Sequence, residues 1–310
     1  MARKLIYALA VLFAVTSLVF GLMRLSSDPL AGFLPPGSSP EQQATVRRQL
    51  GLDRPLVYQY GTFVRHALHG DFGTSWRGHQ PALRLVLDRL PATLILTAAA
   101  VVLALLIGVP IGVVAGTRPG GKIDLGVTGF ALLGQAMPGF WLGTLLILVF
   151  AVHLRWLPSS GASGAQALVL PALTLAAYPT ATIARLLRAS MIETMHHDYI
   201  RTARGKGLRP WSVVRVHALR NALLPVLAYV GLQIGFLIGG AVVVESVFAY
   251  PGVGRLALQA VVDRDLPVIQ AFVVVIAAVI VVLNLSVDLI AHLVDPRLHD
   301  AASLAVGGRR

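Results

Sequence analysis

Long apolar stretches alternate with polar segments along this chain. Six stretches hold at most one charged residue each, and each is long enough to cross a bilayer, since about 20 helical residues span a hydrocarbon core of roughly 30 Å. The six are residues 5–23, 91–116, 125–152, 165–184, 223–244 and 267–294. The pattern predicts an all-α, polytopic membrane protein with six transmembrane helices.

The composition agrees with a membrane protein. Hydrophobic residues make up 56% of the 310 residues and charged residues only 13%, whereas a soluble domain averages about 25% charged residues. The chain is therefore neither a water-soluble globule nor disordered. It contains no cysteine, which excludes disulfides, thiolate metal ligands and a cysteine nucleophile.

The net charge of +12 allows two interpretations. A basic protein can bind nucleic acid, but in a membrane protein Lys and Arg collect in the cytoplasmic loops. With the N-terminus inside, the inner segments hold fifteen Lys and Arg and the two short outer loops hold three. We therefore expect both termini in the cytoplasm, residues 25–90 outside, membrane lipid around the helices, and no nucleic-acid partner.

The first apolar stretch follows Arg3 and Lys4, the charge order of a secretory signal peptide. Its apolar run exceeds the usual length of about 7 to 15 residues, and residues 24–27 lack the small residues of a cleavage site. We interpret it as a retained signal anchor. Residues 1–90 would then form an N-terminal part made of this anchor and an extracytoplasmic insertion.

The insertion is predicted to contain three short helices. Ser39 is a suitable N-cap for a helix that starts at Pro40 and stops at Gly51, a second helix is expected over residues 55–68, and a third, over residues 81–89, would lie in the membrane interface. Its aromatic residues suit contact with a docked protein or an outer gate, but they also fit a headgroup belt. These residues are Tyr58, Tyr60, Phe63, Phe72 and Trp76.

A second polar segment, residues 185–221, is rich in arginine and faces the cytoplasm in this topology. Gly205 and Gly207 predict the end of one helix, and Pro210 predicts the start of another that ends near Asn221. The apolar residues of this elbow would be left without a partner, which suggests protein docking. They are Ile200, Ala203, Leu208 and Trp211.

Small residues recur every four positions in two of the apolar stretches. One series is Gly108, Gly112 and Gly116, and the other is Gly231, Gly235 and Gly239. Such series let helix backbones approach closely. They predict a tightly packed bundle.

The elbow resembles the cytoplasmic loop of ABC-importer permease subunits, whose signature is Glu-Ala-Ala, three residues, Gly and a later Leu-Pro. Here Arg201-Thr202-Ala203 precede Gly207 at that spacing, and Leu224-Pro225 follow. Five further stretches resemble the oligopeptide/dipeptide/nickel branch, and the long insertion is similar to that of its B-type permease. These stretches are residues 50–56, 70–75, 239–248, 251–255 and 295–297.

The resemblance implies a six-helix permease of the type I (MetI-like) architecture in the bacterial inner membrane. It would form half of a pathway for di-/oligopeptides together with a homologous C-type permease. Nickel, glutathione or another small solute is the alternative cargo. An extracytoplasmic solute-binding protein would deliver the cargo. The transmembrane domain would span residues 91–294 with its coupling loop at 185–222, and residues 295–310 would form a cytoplasmic tail.

In the family, the elbow is the coupling helix that fits a groove of the ATPase. Two ATPase subunits or domains would bind ATP and magnesium, so this chain would bind no cofactor and would not be an enzyme. A secondary transporter would need no such elbow. The residues that the resemblance assigns to coupling are Ile200, Arg201, Thr202, Ala203, Gly207 and Leu208.

Motifs for chemistry within this chain are incomplete. Residues 116–122 have phosphate-loop spacing, but Ile123 stands where a hydroxyl should hold magnesium. Residues 161–164 read Gly-Ala-Ser-Gly, as in intramembrane serine proteases, but in a polar loop. His196 and His197 are adjacent and cannot share a helix face. We expect no catalytic residue and no metal site, and a membrane-embedded hydrolase is the remote alternative.

Polar residues within or beside the apolar stretches are candidates for the translocation pathway. Asp288 is the single acid within a stretch, and it either lines the pathway or lies at headgroup level. Gln135, Gln233 and Asn284 are uncharged pathway candidates. Glu245, at the outer end of the fifth stretch, is expected to cap a helix, to gate the pathway or to contact the binding protein.

Overall fold

The computed structural model of the chain describes residues 2–26, 38–49 and 52–294. Within these ranges the regular structure is helical, apart from one isolated β-bridge between Thr74 and Pro81. Gly51 and the predicted tail, residues 295–310, lie outside the described residues. The helices are α1 (Ala2–Ser26), α2 (Pro40–Gln49), α3 (Leu56–Leu68), α4 (Ala82–Thr117), α5 (Lys122–Ala136), α6 (Gly139–Leu146), α7 (Gln166–Met195), α8 (Asp198–Gly205), α9 (Pro210–Ser212), α10 (Leu219–Ala222), α11 (Leu224–Val247), α12 (Val253–Val262) and α13 (Leu266–Val294), with π-helical segments at Ile147–His153 after α6 and Val213–Ala218 after α9.

Each of the six apolar stretches contains a helix. Among the described residues, α4, α7, α11 and α13 are long and apolar enough to cross a membrane, and α5 with α6 and its π-helical extension gives a fifth span if the pair counts as one. Helix α1 has 25 residues and covers the first stretch. The presence of membrane-spanning helices is confirmed, and the count of six spans stays a prediction.

The sequence analysis expected the third stretch to form one helix, but the structure divides it into two. Helices α5 and α6 meet at an angle of 105°. Met137 and Pro138 between them are extended, with ψ angles of 124° and 135°. The cause is Pro138, because its ring excludes the preceding residue from the helical conformation and it has no N–H to donate.

Two further boundaries differ from those predicted. The proposed interfacial helix over residues 81–89 is the first part of α4. Helix α4 continues through Pro91 and has 36 residues in all. Helix α7 runs to Met195, well past the end of its apolar stretch at residue 184. Both predictions placed a helix end at a proline or at a change of polarity. In the structure each helix continues past that point, because its residues pack against other helices.

The chain folds into two compact units. The first comprises Met1–Ala92 and Pro251–Val282. Helix α3 packs on α1 in this unit: the Tyr60 hydroxyl lies 2.5 Å from Ser17 Oγ, and the Phe20 ring lies 5.3 Å from that of Tyr60 and 5.6 Å from that of Phe63. A separate buried cluster joins the loop before α4 and the first turns of α4 to α12 and α13. Its members are Phe72, Ala82, Val86, Val253, Ala260, Val268 and Ala271.

The loop between α3 and α4 is held to the loop between α12 and α13 by hydrogen bonds. Ser75 Oγ donates to Asp265 Oδ2 at 2.5 Å, and the Arg77 guanidinium donates to Asp263 at 2.9 Å. The Gly78 N–H in turn donates to Ser75 Oγ at 2.8 Å. The hydrogen bonds from Gln259 and then from Arg77 hold the pKa of Asp263 below its usual value. The C-terminal part of the predicted insertion is therefore an integral part of the first unit.

The second unit comprises Thr93–Tyr250 and Leu283–Arg310, and α7 is its central helix. Helices α5, α6, α10 and α11 all pack on α7. The predicted close approach is confirmed for α4: a Cβ on Gly112 would lie 2.8 Å from the Ala184 carbonyl oxygen, and one on Gly116 would lie 2.5 Å from Met191 Cβ. In the second series, Gly231 packs closely on Val287, but a Cβ on Gly239 would meet nothing within 4 Å.

Candidate functional site

A cavity of about 320 Å³ opens between α6, α7 and α11. Its volume lies at the lower end of the range for small-molecule sites, which are largely apolar with a few polar groups. Those groups here are the side chains of Thr174, Tyr178 and Gln233. The remaining lining residues are Gly139, Phe140, Leu175, Pro179, Phe236, Leu237, Gly240, Val243 and Val244.

Of the predicted pathway residues that the structure describes, only one lines this cavity. Gln233 lines the cavity. Gln135 lies on α5 and donates from Nε2 to Thr182 Oγ1 on α7 at 3.1 Å, and that hydroxyl donates to the Tyr178 carbonyl at 3.1 Å. Asn284 is exposed on α13, and the side chain of Asp288 lies outside the described residues.

The sequence analysis missed most of this cavity. Phe140, Tyr178 and Phe236 are each more than half exposed in the chain by itself. Within apolar stretches they read as residues that face lipid, and only the tertiary arrangement brings them to one surface. The break at Pro138 was a usable signal, because discontinuous membrane helices often border a binding site.

Glu245 is completely buried near the C-terminal end of α11. Thr93 Oγ1 on α4 donates to Glu245 Oε1 at 2.5 Å. The carboxylate is therefore inaccessible from the surface of the chain in this conformation, and its role as a cap, a gate or a contact for the binding protein stays a prediction. Burial raises the pKa of the nearby Tyr250 phenol, and the Glu245 charge raises it further.

The elbow forms as predicted, with a different set of exposed residues. Helix α8 ends at Gly205, and Gly207 has a φ of +76°, a conformation that disfavours residues with a Cβ. Ile200 and Ala203 are buried, and α8 packs on the π-helical segment Val213–Ala218. The expectation that these two side chains lack a partner was wrong, because the following segment folds back on them.

The exposed part of the elbow is mixed in character. Arg201, Thr202 and Leu208 are exposed, as is Trp211 at the start of α9. The Asn221 side chain on α10 donates to the Tyr199 hydroxyl on α8 at 2.8 Å. This hydrogen bond joins α8 to α10. The elbow is thus a braced unit that offers a basic and aromatic surface.

A partly buried ion pair joins the start of α5 to the last turns of α7. Arg188 Nη2 donates to Asp124 Oδ2 at 2.7 Å, and Arg188 Nε makes a second contact with Oδ1. The Gly120 N–H also donates to Asp124 Oδ2, at 2.9 Å. The sequence analysis counted Arg188 only as a cytoplasmic charge, because residues 64 positions apart show no pairing signal.

The five aromatic residues of the insertion do not share one exposed surface. Tyr60 and Phe63 pack on α1, and Phe72 is 7% exposed in the core cluster. Trp76 is partly buried. Tyr58 is half-exposed, and its ring lies 4.4 Å from the guanidinium carbon of Arg54. Tyr58 is therefore the member of the set best placed to contact another protein.

Comparison with protein families matches both parts of the chain. Residues 108–300 match the family described as "Binding-protein-dependent transport system inner membrane component", and residues 1–97 match the N-terminal family of such membrane components. The oligopeptide transport system permease protein AppB of Bacillus subtilis is 39% identical over 308 residues, covering 96% of this chain and 98% of its own. The glutathione transport system permease protein GsiC of Salmonella typhimurium is 41% identical over 298 residues, covering 96% and 97% respectively.

Solved structures show the same fold. A chain of the MetNI methionine ABC transporter, in an inward-facing conformation, aligns with a TM-score of 0.59 at 22% identity. The alignment covers 68% of this chain and 96% of that chain. With its apolar helices, its elbow and these relatives, the chain belongs to the family of inner membrane components of binding-protein-dependent transport systems, the permease subunits of ABC importers, which are not themselves enzymes.

Proposed function

We propose that this permease forms half of the pathway of an importer for di-/oligopeptides, as the B-type subunit paired with a homologous C-type permease. The observation that carries the cargo assignment is the similarity over nearly the full length to an oligopeptide permease. The cavity is consistent with it. The Gln233 amide can both donate to a peptide carbonyl and accept from a peptide N–H, so it suits peptide backbones of any side-chain sequence.

The proposal includes the orientation and the partners. The charge difference of fifteen to three supports cytoplasmic termini in a bacterial inner membrane, with residues 25–90 outside. An extracytoplasmic binding protein would deliver the cargo to that side. Two ATPase subunits or domains would sit on the cytoplasmic side and supply ATP hydrolysis with magnesium, since this chain would bind neither.

The elbow is the proposed contact with the ATPase. Ile200 and Ala203 anchor α8 to the π-helical segment, and this segment packs on α10, which contacts both α7 and α11. A push on the exposed side of α8 would therefore reach the two helices that line the cavity. This route needs only rigid-body movement of packed helices.

Glutathione is the second candidate cargo, because a glutathione permease is as similar to this chain as the oligopeptide permease is. Glutathione is itself a tripeptide, so the same cavity chemistry applies. The two candidates differ in the binding protein that would select the cargo.

The test is uptake by the assembled importer in proteoliposomes, with ATP inside and the cognate binding protein outside. Labelled tripeptides and pentapeptides, glutathione and Ni²⁺ are offered separately. We expect ATP-dependent uptake of peptides that requires the binding protein. Uptake of Ni²⁺ with no peptide uptake, or uptake without ATP, would overturn the proposal.

A matched pair of variants tests the cavity. Phe236 and Leu232 lie one turn apart on α11 and are both 75% exposed in the chain, but only Phe236 lines the cavity. Phe236→Ala is expected to lower peptide uptake several-fold, and Leu232→Ala to leave it unchanged. Equal effects of the two variants would place the pathway elsewhere.

A further inference from the structure

A second and larger cavity, of about 680 Å³, lies beside the elbow. It is bounded by the ends of α4 and α7, by α8 and α9, and by the π-helical segment Val213–Ala218. Its lining residues are Val114, Thr117, Arg118, Met195, Arg204, Pro210, Trp211 and Val214. Its volume falls within the range of cavities that hold small molecules.

The charges in this cavity are all positive. Arg118 and Arg204 line it from different elements, and among the described carboxylates none forms a salt bridge with either guanidinium. Arg188, two turns before Met195, shows the contrast, because it is paired with Asp124. Two guanidiniums that line one cavity can bind a phosphate group together.

The remaining lining residues are apolar except Thr117. Arg204 Nη2 lies 3.9 Å from Met195 Sδ, so the charge is held against an apolar side chain. Trp211 is 66% exposed and Val114 is 43% exposed. A small anion bound to the guanidiniums alone would leave Trp211 and Val114 exposed to water. An anion with an apolar tail would contact the guanidiniums and also cover these two side chains.

The position of the cavity points to the source of such a molecule. Arg118 directly follows α4, an apolar helix of 36 residues that is long enough to cross the bilayer. The cavity therefore lies where the hydrocarbon core gives way to water, the level at which tryptophan is enriched in membrane proteins. Basic pockets at this level bind anionic lipid headgroups.

We propose that this cavity binds an anionic phospholipid, with its phosphate between Arg118 and Arg204 and its glycerol and upper acyl region against Trp211, Val114 and Val214. The site does not depend on the cargo. Lipid is present in both leaflets, so lipid can reach the site in either orientation of the chain. Arg201 and Thr202, which the resemblance assigns to ATPase coupling, do not line it.

The test is native mass spectrometry of the importer purified with its partner subunits, titrated with phosphatidylglycerol or with phosphatidylcholine of the same acyl chains. Arg118→Gln/Arg204→Gln removes both cavity charges. Arg215→Gln/Arg220→Gln is the matched control, because both residues are exposed in the same region and neither lines the cavity. A third arm adds millimolar inorganic phosphate to the wild-type complex.

We expect the wild type and the control to bind one phosphatidylglycerol at least about tenfold more tightly than phosphatidylcholine, since each basic residue contributes a few-fold in affinity. The cavity variant is expected to lose this preference. Equal lipid preference in the wild type and the cavity variant would overturn the proposal, and so would equal loss in the control. Displacement of the lipid by inorganic phosphate would identify a free anion as the occupant and would also overturn it.

Discussion

Thr93 on α4 donates a hydrogen bond of 2.5 Å to the fully buried carboxylate of Glu245 on α11. These residues are 152 positions apart; Thr93 lies in the N-terminal half of α4 and Glu245 near the C-terminal end of α11. A buried carboxylate is tolerated only when its oxygens are well hydrogen-bonded. This bond is therefore a specific link between the two helices, and its removal should be measurable.

Thr93→Val keeps the shape of the side chain and removes the donor. We expect it to destabilise the assembled importer by about 1 to 3 kcal/mol, because it withdraws a hydrogen bond from a buried charged group. Thermal unfolding of the purified complex measures the change. Thr93→Ser retains the hydroxyl and should stay close to the wild type; a Thr93→Val variant as stable as Thr93→Ser would contradict the argument.

The backbone contact between α4 and α7 gives a second prediction. Gly112→Ala would place a Cβ 2.8 Å from the Ala184 carbonyl oxygen, so the helices must separate. Overpacking of this kind typically costs about 1 to 3 kcal/mol. We expect a lower yield of assembled complex and a lower unfolding temperature.

Gly126→Ala is the control for that prediction. Gly126 lies within α5, and a Cβ there would meet nothing within 4 Å. Because alanine favours the helix over glycine by about 1 kcal/mol, this change should be neutral or slightly stabilising. If both variants behave alike, the close approach of α4 and α7 has no energetic importance.

The elbow provides a third prediction, based on a pair of neighbouring glycines. A Cβ on Gly205 or on Gly207 would meet nothing within 4 Å, but of the two only Gly207 has a positive φ, of +76°. Gly207→Val is therefore strained by about 1 to 2 kcal/mol through its backbone alone. It should leave the helices assembled and reduce the ATP hydrolysis that loaded binding protein stimulates.

Gly205→Ala is expected to preserve stimulated hydrolysis, because its position is helical and open. The measurements are ATPase activity with and without loaded binding protein, and co-purification of the ATPase. Unchanged coupling in Gly207→Val would show that the backbone at this turn does not position the coupling helix.

The proposed orientation gives a fourth prediction, which is simplified by the absence of native cysteine. Arg48 on α2 and Lys206 in the elbow are both exposed. Arg48→Cys should react with a membrane-impermeant maleimide in intact spheroplasts, and Lys206→Cys only after permeabilisation. The reverse pattern would invert the topology, and labelling of both sites in intact spheroplasts would contradict the six-span arrangement.

Local signals in the sequence located several elements correctly. Ser39 caps α2 as predicted: its Oγ accepts the Gln42 N–H at 3.3 Å, while the Gln42 side chain accepts the Ser39 N–H at 3.0 Å. Gly207 adopts a positive φ in the turn after α8. Gly112 and Gly116 lie where α4 contacts α7. These features were predictable because each is determined by a few neighbouring residues and one conformational preference.

The features that sequence reasoning missed depend on contacts between distant residues. The burial of Ile200 depends on a π-helical segment that begins at Val213, and the pairing of Asp124 with Arg188 bridges two helices. The cavity residues Phe140 and Phe236 are apolar and exposed, which hydropathy cannot distinguish from contact with lipid. Only the tertiary arrangement separates these cases.

The break between α5 and α6 fixes which side of this helix pair can face lipid. At this break the N–H groups of Trp141 and Leu142 donate to the Pro138 carbonyl at 3.1 Å, but those of Gly139 and Phe140, the first of α6, have no carbonyl partner within their own helix. Hydrocarbon cannot solvate such groups, and each would cost several kcal/mol if it faced an acyl chain. Pro138, Gly139 and Phe140 are exposed in the isolated chain. We therefore expect this side to face water or protein, and lipid to cover another side of the pair.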